Sequence, residues 1–236
     1  MSPLIPKSIK PLLEQIGRIA EARGTSVYAV GGCVRDWCLQ MPRLTDLDVT
    51  VEGDGAALAR VVARTLHGTL RVHPQFGTAT VLLGPRGTRR VDVASTRKET
   101  YAKPAAYPRV TQGTLEDDLF RRDFTFNAMA VALNPGRFGA LVDPFGGMED
   151  LERRRLRILN PRSFVDDPTR ILRGIRFAQR FEAHFDGVTA QRLKAAVQAG
   201  ALGWLNAGRL GKELERMLHE PNPVACLKAL GTHLEA

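Results

Sequence analysis

Residues 26–51 read SVYAVGGCVRDWCLQMPRLTDLDVTV, and the order of these pieces decides the fold. SVYAV is a short apolar run of strand type, Gly31-Gly32 interrupts it, and VRDWCLQ has helical character, so the glycines mark a strand-to-helix turn. Backbone N–H groups exposed at such a turn attract anions. LTDLDVTV then resumes as a strand, and its period of two puts Asp46 and Asp48 on one face and Leu47, Val49 and Val51 on the other. Carboxylates held side by side repel each other unless a cation fills the gap, which points to a divalent metal. A third carboxylate, Asp92, stands between Val91 and Val93 in another strand-like run, where an isolated buried charge is expensive. An Asp-x-Asp pair alone also fits a solvated strand face; the phosphate-cradling turn before it and Asp92 after it favour the metal.

Outward from this stretch, apolar residues at helical spacing predict a helix over 6–23 that stops before Gly24. GAALARVVARTL reads as a helix, and TLRVHP, TATVLLG and RRVDVAS read as strands with GPRG turning between the last two. Residues 1–150 are therefore expected to form an α/β (α+β) head with a mixed β-sheet and flanking helices. From about residue 161 helical spacing takes over, in RILRGIRFAQRF, VTAQRLKAAVQAG and GRLGKELERMLHE, so 151–236 is expected to be a small all-α domain. YAKPAAYPRVTQGT is the one long loop-like segment; its Tyr101 and Tyr107 are expected to pack on the head.

Composition narrows the function. With 34 Lys and Arg against 25 Asp and Glu, the net charge of +9 favours a polyanionic partner such as nucleic acid. Cys33, Cys38 and Cys226 are odd in number and lack Cys-x-x-Cys spacing, which argues against a disulfide framework and a zinc site and favours a reducing cytoplasm. The N-terminal residues show no apolar signal core and no stretch has the length of a membrane span. The five histidines are scattered and carry no assigned role.

Several stretches together resemble one family, the class II tRNA nucleotidyltransferases (CCA-adding enzymes) and the related bacterial poly(A) polymerases, a branch of the polymerase β-like nucleotidyltransferases. They are AVGGCVRDWCLQMPRLTDLDVTV, LEDDLFRRDFTFNAMA, VDPFGGMEDL, DDPTRILRGIRF and GRLGKELERML, in family order over about residues 25–220. The resemblance implies a nucleotidyltransferase head followed by a helical neck that selects the nucleotide and binds RNA. It implies metal binding by Asp46 and Asp48, with Asp92 as the supporting third catalytic carboxylate for two Mg²⁺. Gly31, Gly32 and Arg35 fall in the first nucleotide-binding motif, and Arg122, Asp123 and Asn127 are expected to hold triphosphate and ribose. Arginine suits multidentate phosphate contact, and a carboxylate accepts a hydrogen bond from a ribose hydroxyl.

In DDPTRILRGIRF, Asp167 is placed as a helix N-cap with Pro168 at the first helical position and Arg170 one turn along the same face. An acceptor beside a forked donor can pair with the Watson–Crick edge of a base, and the resemblance implies that this pair selects CTP and ATP. Arg173, Arg176 and Arg180 continue the face toward the nucleotide and the RNA, with Arg180 read as solvated. The cluster Arg153, Arg154, Arg155 and Arg157 is likewise read as a solvated charge run.

The implied activity is template-independent addition of C and/or A to the 3′ end of tRNA from CTP and ATP by two-metal phosphoryl transfer. Asp166 stands where many family members have Glu, which leaves full CCA, CC-only and A-only addition open. Poly(A) tailing, small-molecule nucleotidyl transfer and a non-catalytic RNA-binding module are the competing readings. Family members usually continue into further helical domains beyond the last motif, so a weak, salt-dependent grip on tRNA is expected here. Oligomeric state has no signature in the sequence.

Overall fold

The computed structural model describes residues 3–41, 47–74 and 77–235, which divide into two compact units. The first comprises Met1–Lys98, Thr111–Arg122 and Phe126–Met148, and the second Glu99–Val110, Asp123–Thr125 and Glu149–Ala236. A single cut at residue 150 therefore misses two excursions: residues 99–110 and 123–125 belong with the second unit, and the chain changes unit between Arg122 and Asp123.

In the first unit the chain runs through α1 (Lys10–Glu21), β1 (Val27–Val30), α2 (Gly32–Cys38), β2 (Leu47–Val51), α3 (Gly55–Thr65), β3 (Thr69–His73), β4 (Thr78–Leu83) and β5 (Arg89–Ser95). There follow β6 (Arg97–Thr100) and β7 (Arg109–Gln112), which form a two-stranded sheet of their own, then α4 (Leu115–Phe120), β8 (Ala130–Ala132) and β9 (Leu141–Val142). α5 (Gly147–Glu152) leads into the second unit.

Seven strands form one sheet in the order β3-β4-β5-β2-β1-β8-β9. Only β2 and β5 run parallel; every other pairing within it is antiparallel. β1 is buried along its whole length, as a central strand with apolar residues at every position demands. α1 buries Leu12, Leu13, Ile16, Gly17 and Ala20. A methyl group at Gly17 would lie 1.8 Å from the Leu133 carbonyl oxygen, so this helix packs at a distance only glycine permits. α3 starts where Asp54 accepts the Ala57 N–H at 2.9 Å, and α4 starts with a full capping box between Thr114 and Asp117.

The second unit continues with β10 (Arg155–Leu156), α6 (Ser163–Asp166), α7 (Thr169–Arg180), β11 (His184–Phe185), α8 (Gly187–Gln198), α9 (Ala207–Leu218) and α10 (Pro223–Glu235). It is helical apart from the two-residue parallel pairing of β10 with β11 and its share of β6 and β7. Its core gathers Phe124, Phe164 and Phe177, whose rings meet at centroid distances of 6.1 to 6.4 Å around Phe124. Gly174 of α7 faces Phe124 and Phe185 so closely that a methyl group there would stand 2.9 and 3.0 Å from their rings.

α7 begins one residue later than the sequence suggests, with Pro168 at its N-cap position. Asp167 still caps it in substance, because its carboxylate accepts both the N–H and the hydroxyl of Thr169. The basic face of α7 is graded: Arg180 is exposed, as the sequence reading has it, Arg173 is half-buried and Arg176 is buried. Arg176 donates to Glu220 at 3.0 Å, Arg180 holds Glu220 with two nitrogens, and Arg173 and Arg176 both approach Glu213 at 3.9 Å. Arg176, Glu213 and Glu220 are buried, so these ion pairs tie α7 to α9 and to the turn before α10. Arg155 and Arg157 likewise converge on the fully buried Asp150, which also accepts the Thr125 hydroxyl at 2.6 Å. Arg153 and Arg154 match the solvated reading, with exposed partners in Glu149 and Glu182. No described helix is long and apolar enough to cross a membrane.

Candidate active site

The parallel pairing of β2 and β5 sets Asp48 directly opposite Asp92, and the antiparallel pairing of β5 and β4 sets Asp92 opposite Thr80. Residues in register on neighbouring strands point to the same face, so the three side chains form a row across the sheet. The Thr80 hydroxyl donates to Asp92 Oδ1 at 2.5 Å, and Arg90 Nε pairs with Asp92 Oδ2 at 2.9 Å. Asp92 is thus partnered and only partly buried, and it lines an open cleft with Asp48. Asp46 lies outside the described residues.

Asp118, Arg121 and Arg122 line the same cleft, whose volume is about 240 Å³. That is below the roughly 300–1,000 Å³ of a site enclosing a whole drug-sized ligand, and it suits a phosphate group with its counterions better than an entire nucleotide. The Asp118 side chain is 1% exposed, with Oδ1 accepting from Arg121 at 2.9 and 3.1 Å and Oδ2 accepting from Arg122 at 3.1 Å. Burial pushes the Asp118 carboxyl upward, but the two guanidinium groups outweigh it and hold the pKa below the usual carboxylate value.

Gly31, at the turn from β1 to α2, has φ 76° and ψ −131°, a conformation open essentially to glycine alone. Its N–H bonds to the Met129 carbonyl at 3.2 Å, and Arg122 lies against its bare Cα. Behind the turn, Arg35 donates to Asp36 Oδ1 at 2.7 and 2.9 Å and to Asn127 Oδ1 at 2.6 Å, with its guanidinium carbon 6.0 Å from the centre of the Phe126 ring. All of these side chains are buried, so Arg35 and Asn127 brace the turn from behind. Cys33 is buried near Asp48; burial, followed by the Asp48 charge, pushes its thiol up to about 12, which leaves it inert. All three cysteines are free and buried.

In the second unit, Asp167 Oδ1 accepts from Thr169 N at 3.1 Å, from Thr169 Oγ1 at 2.6 Å and from Arg209 Nη2 at 2.7 Å. Arg170 Nε stands 3.9 Å from Asp167 Oδ2, and its Nη1 is held by the Ser163 hydroxyl at 2.8 Å. The acceptor and forked donor expected from the sequence are therefore neighbours. Asp123 is engaged within the protein: Oδ1 accepts the Phe124 N–H, and Oδ2 accepts from Arg173 at 2.5 and 2.8 Å. Tyr107 belongs to the second unit; it is 74% exposed, with the Arg209 guanidinium 5.4 Å from its ring centre. Tyr101 also belongs to the second unit and donates to Glu99 at 3.2 Å.

The cleft thus unites Asp48, Asp92 and Arg122 with Gly31 against Arg122, while Arg35 and Asn127 form the brace and Gly32 opens α2. Asp167 and Arg170 form a separate pair, and Arg176 is committed to its ion pairs. Sequence reasoning passed over Asp118 and Arg209. Asp118 had a legible signal in LEDDLFRRD, where it precedes two arginines by three and four residues on one helical face. Arg209 lies in the family-like stretch GRLGKELERML, but its pairing was not legible because its partner lies far back in the chain.

The donor set fits a hard divalent cation: Asp48 and Asp92 offer oxygen ligands on one face, and each carboxylate oxygen has more than one lone pair. Among the described residues no three His, Cys, Asp or Glu side chains are gathered for a metal ion, and the third carboxylate of the expected set is Asp46.

A mixed sheet that presents carboxylates from adjacent parallel strands, with a glycine turn and paired arginines beside them, defines a nucleotidyltransferase head. Residues 27–157 match the family described as the poly(A) polymerase head domain, and the chain belongs to that family, in the branch of the class II CCA-adding enzymes. It is 43% identical over 223 residues to an A-adding tRNA nucleotidyltransferase of Geobacter sulfurreducens, covering 94% of this chain and 25% of the relative. It is 38% identical over 206 residues to a CC-adding tRNA nucleotidyltransferase of Deinococcus radiodurans, covering 87% of this chain and 53% of the relative. A solved CCA-adding enzyme in an apo form has a TM-score of 0.91 and 42% identity, covering 97% of this chain and 53% of that one. The chain spans about a quarter to a half of the length of these relatives.

Proposed function

We propose that this chain is a template-independent tRNA nucleotidyltransferase that adds C and/or A from CTP and ATP to the 3′ end of tRNA. The observation that carries this reading is the in-register pairing of Asp48 with Asp92 at a cleft lined by Arg121 and Arg122. In the reaction a tRNA 3′-hydroxyl oxygen forms a bond to the α-phosphorus, the bond from that phosphorus to the bridging oxygen breaks, pyrophosphate leaves and the hydroxyl proton is released. Arg122 and Arg121 are suited to the triphosphate, with Asp118 fixing their direction. The Gly31-Gly32 turn allows the approach of phosphate, and Arg35 and Asn127 brace it. Asp46, Asp48 and Asp92 are the residues to hold two Mg²⁺, which when bound lower the pKa of the attacking hydroxyl and neutralise charge on the leaving pyrophosphate.

The second unit is the base-selecting and RNA-binding part in this reading, with Asp167 and Arg170 reading the base edge. Asp123, the residue for the ribose with Asn127, also orients Arg173, and Arg176 acts as a strut. A cytoplasmic setting suits three free thiols. Greater identity to the A-adding relative than to the CC-adding one favours terminal A addition as the finer activity.

The test is incubation of the purified chain with Mg²⁺ and tRNA transcripts ending before CCA, after C and after CC, with CTP and ATP supplied separately and together. A single A on the CC-ended transcript identifies A addition, CC on the shortest transcript identifies CC addition, and CCA identifies the complete activity. Long A-tails would reassign the chain to poly(A) synthesis, and binding of tRNA without any product would reduce it to an RNA-binding module.

A further inference from the structure

We propose that Arg209 is a positioning residue for base selection: it immobilises Asp167 through one carboxylate oxygen and leaves the other facing Arg170. The inference rests on the reading of Asp167 and Arg170 as the base-selecting pair. Three donors converge on Oδ1, namely Arg209 Nη2, Thr169 N and Thr169 Oγ1. Oδ2 accepts no hydrogen bond from the described residues, and Arg170 Nε stands 3.9 Å from it. A carboxylate anchored in this way presents one acceptor in one orientation, beside a guanidinium that Ser163 holds in place. Reading a base edge requires placement within about 0.5 Å and 10–20°, which an unanchored Asp side chain does not maintain.

Arg209 is itself fixed from a second side. Its Nη1 donates to the Ala105 carbonyl at 2.7 Å, and its planar face lies over Tyr107. Ala105 adopts a left-handed backbone with φ 56°, costly for a residue with a Cβ, and its own N–H is held by the Val165 carbonyl at 3.1 Å. The guanidinium therefore cannot follow Asp167 if the acid rotates, so the pair behaves as a clasp closed on a fixed post. The forked geometry matters, since one arm holds the acid while the other holds the backbone; a lysine offers the charge without the fork.

The full chain is compared with its Arg209→Met, Arg209→Lys, Asp167→Asn and Arg209→Met/Asp167→Asn variants, measuring kcat and KM for ATP and CTP on tRNA transcripts and misincorporation of UTP and GTP. Arg209→Met is expected to raise KM for the correct nucleotide and to erode discrimination by about 10-fold each, on the scale of a small misplacement of a binding group. kcat with saturating nucleotide should change far less, and Arg209→Lys should recover only part of the loss. In the double variant the Arg209 substitution should add nothing to the Asp167→Asn loss. Discrimination unchanged in Arg209→Met, or strictly additive losses in the double variant, overturns the proposal. If Arg209→Met melts at a lower temperature, Arg209→Gln supplies the same comparison. A wild-type chain that transfers neither C nor A defeats the parent reading on its own. The clasp is then decided by equilibrium binding of ATP against UTP: loss of preference in Arg209→Met supports it, and equal preference or no binding in either protein overturns it.

Discussion

A methyl group added at Gly31 would stand 2.4 Å from Nη1 of Arg122, so the absence of a side chain at one position is what gives the other its place. Gly31→Ala therefore carries two penalties, a left-handed backbone costing about 1–2 kcal/mol and the displacement of Arg122. Gly32→Ala carries neither, because its added methyl would meet Arg35 at 3.6 Å, an ordinary contact. Thermal melts of both variants should show Gly31→Ala losing stability and Gly32→Ala near wild type, and NTP kinetics should show a raised KM in Gly31→Ala. Equal behaviour of the two would remove Arg122 from the argument.

Asp48→Asn should lower nucleotide transfer by at least about 100-fold, the scale of removing one group that stabilises developing charge. In metal-free buffer the same variant should melt at or above the wild-type temperature, since it relieves repulsion with Asp92. Adding Mg²⁺ should raise the melting temperature of the wild type and leave Asp48→Asn unmoved, because a ligand stabilises only the state that binds it. A metal-dependent shift in both proteins would place the cation elsewhere.

Asp118→Asn is expected to destabilise the chain by about 3 kcal/mol at neutral pH, as it leaves two arginines facing a neutral amide. The carboxyl has a lower pKa folded than unfolded. Its contribution is therefore complete above the unfolded value of 3.8 and disappears as the pH falls through the lower folded value. Urea midpoints of wild type and variant should differ most at neutral pH and converge in strong acid. A constant difference across that range would contradict the assignment.

Glu220→Ala removes the shared partner of Arg176 and Arg180. With Arg176 buried, the loss should be about 3 kcal/mol of stability. KM for ATP and CTP should stay at the wild-type value, since Arg176 is a strut in this reading. A large KM increase at unchanged stability would return Arg176 to the nucleotide.

The sheet and the helices were legible wherever side-chain period matched burial, as in LDVTV and RRVDVAS, where Asp48 and Asp92 interrupt otherwise apolar strands. Pairing across strands was not legible. Nothing in the period of β2 or β5 tells that Asp48 and Asp92 share a register, and only the strand order brings Thr80 onto the same row. For a related reason the burial of Arg176 was not legible: helical spacing gives the common face of the α7 arginines, but the burial of this one depends on Glu213 and Glu220, supplied by residues well downstream. Residues 101–114 read as a loop-like segment because local sequence contains no trace of the Arg209 guanidinium or the Val165 carbonyl that hold Ala105. Asp167 and Arg170 were legible because one helical turn suffices to juxtapose them.

The single parallel pairing in the large sheet has a consequence for how the chemistry first becomes available. Between the paired strands β2 and β5 the chain must complete α3, β3 and β4, so Asp48 meets Asp92 only after a long crossover has closed. Hairpins such as β3 with β4 form locally and early, but they contain only Thr80 of the row. The opposed carboxylates are thus neighbours that no local hairpin brings together. An incompletely folded chain, whether newly made or partly melted, does not yet bring together the acids needed to act on a nucleotide, and competence arrives with the closed sheet as a single event.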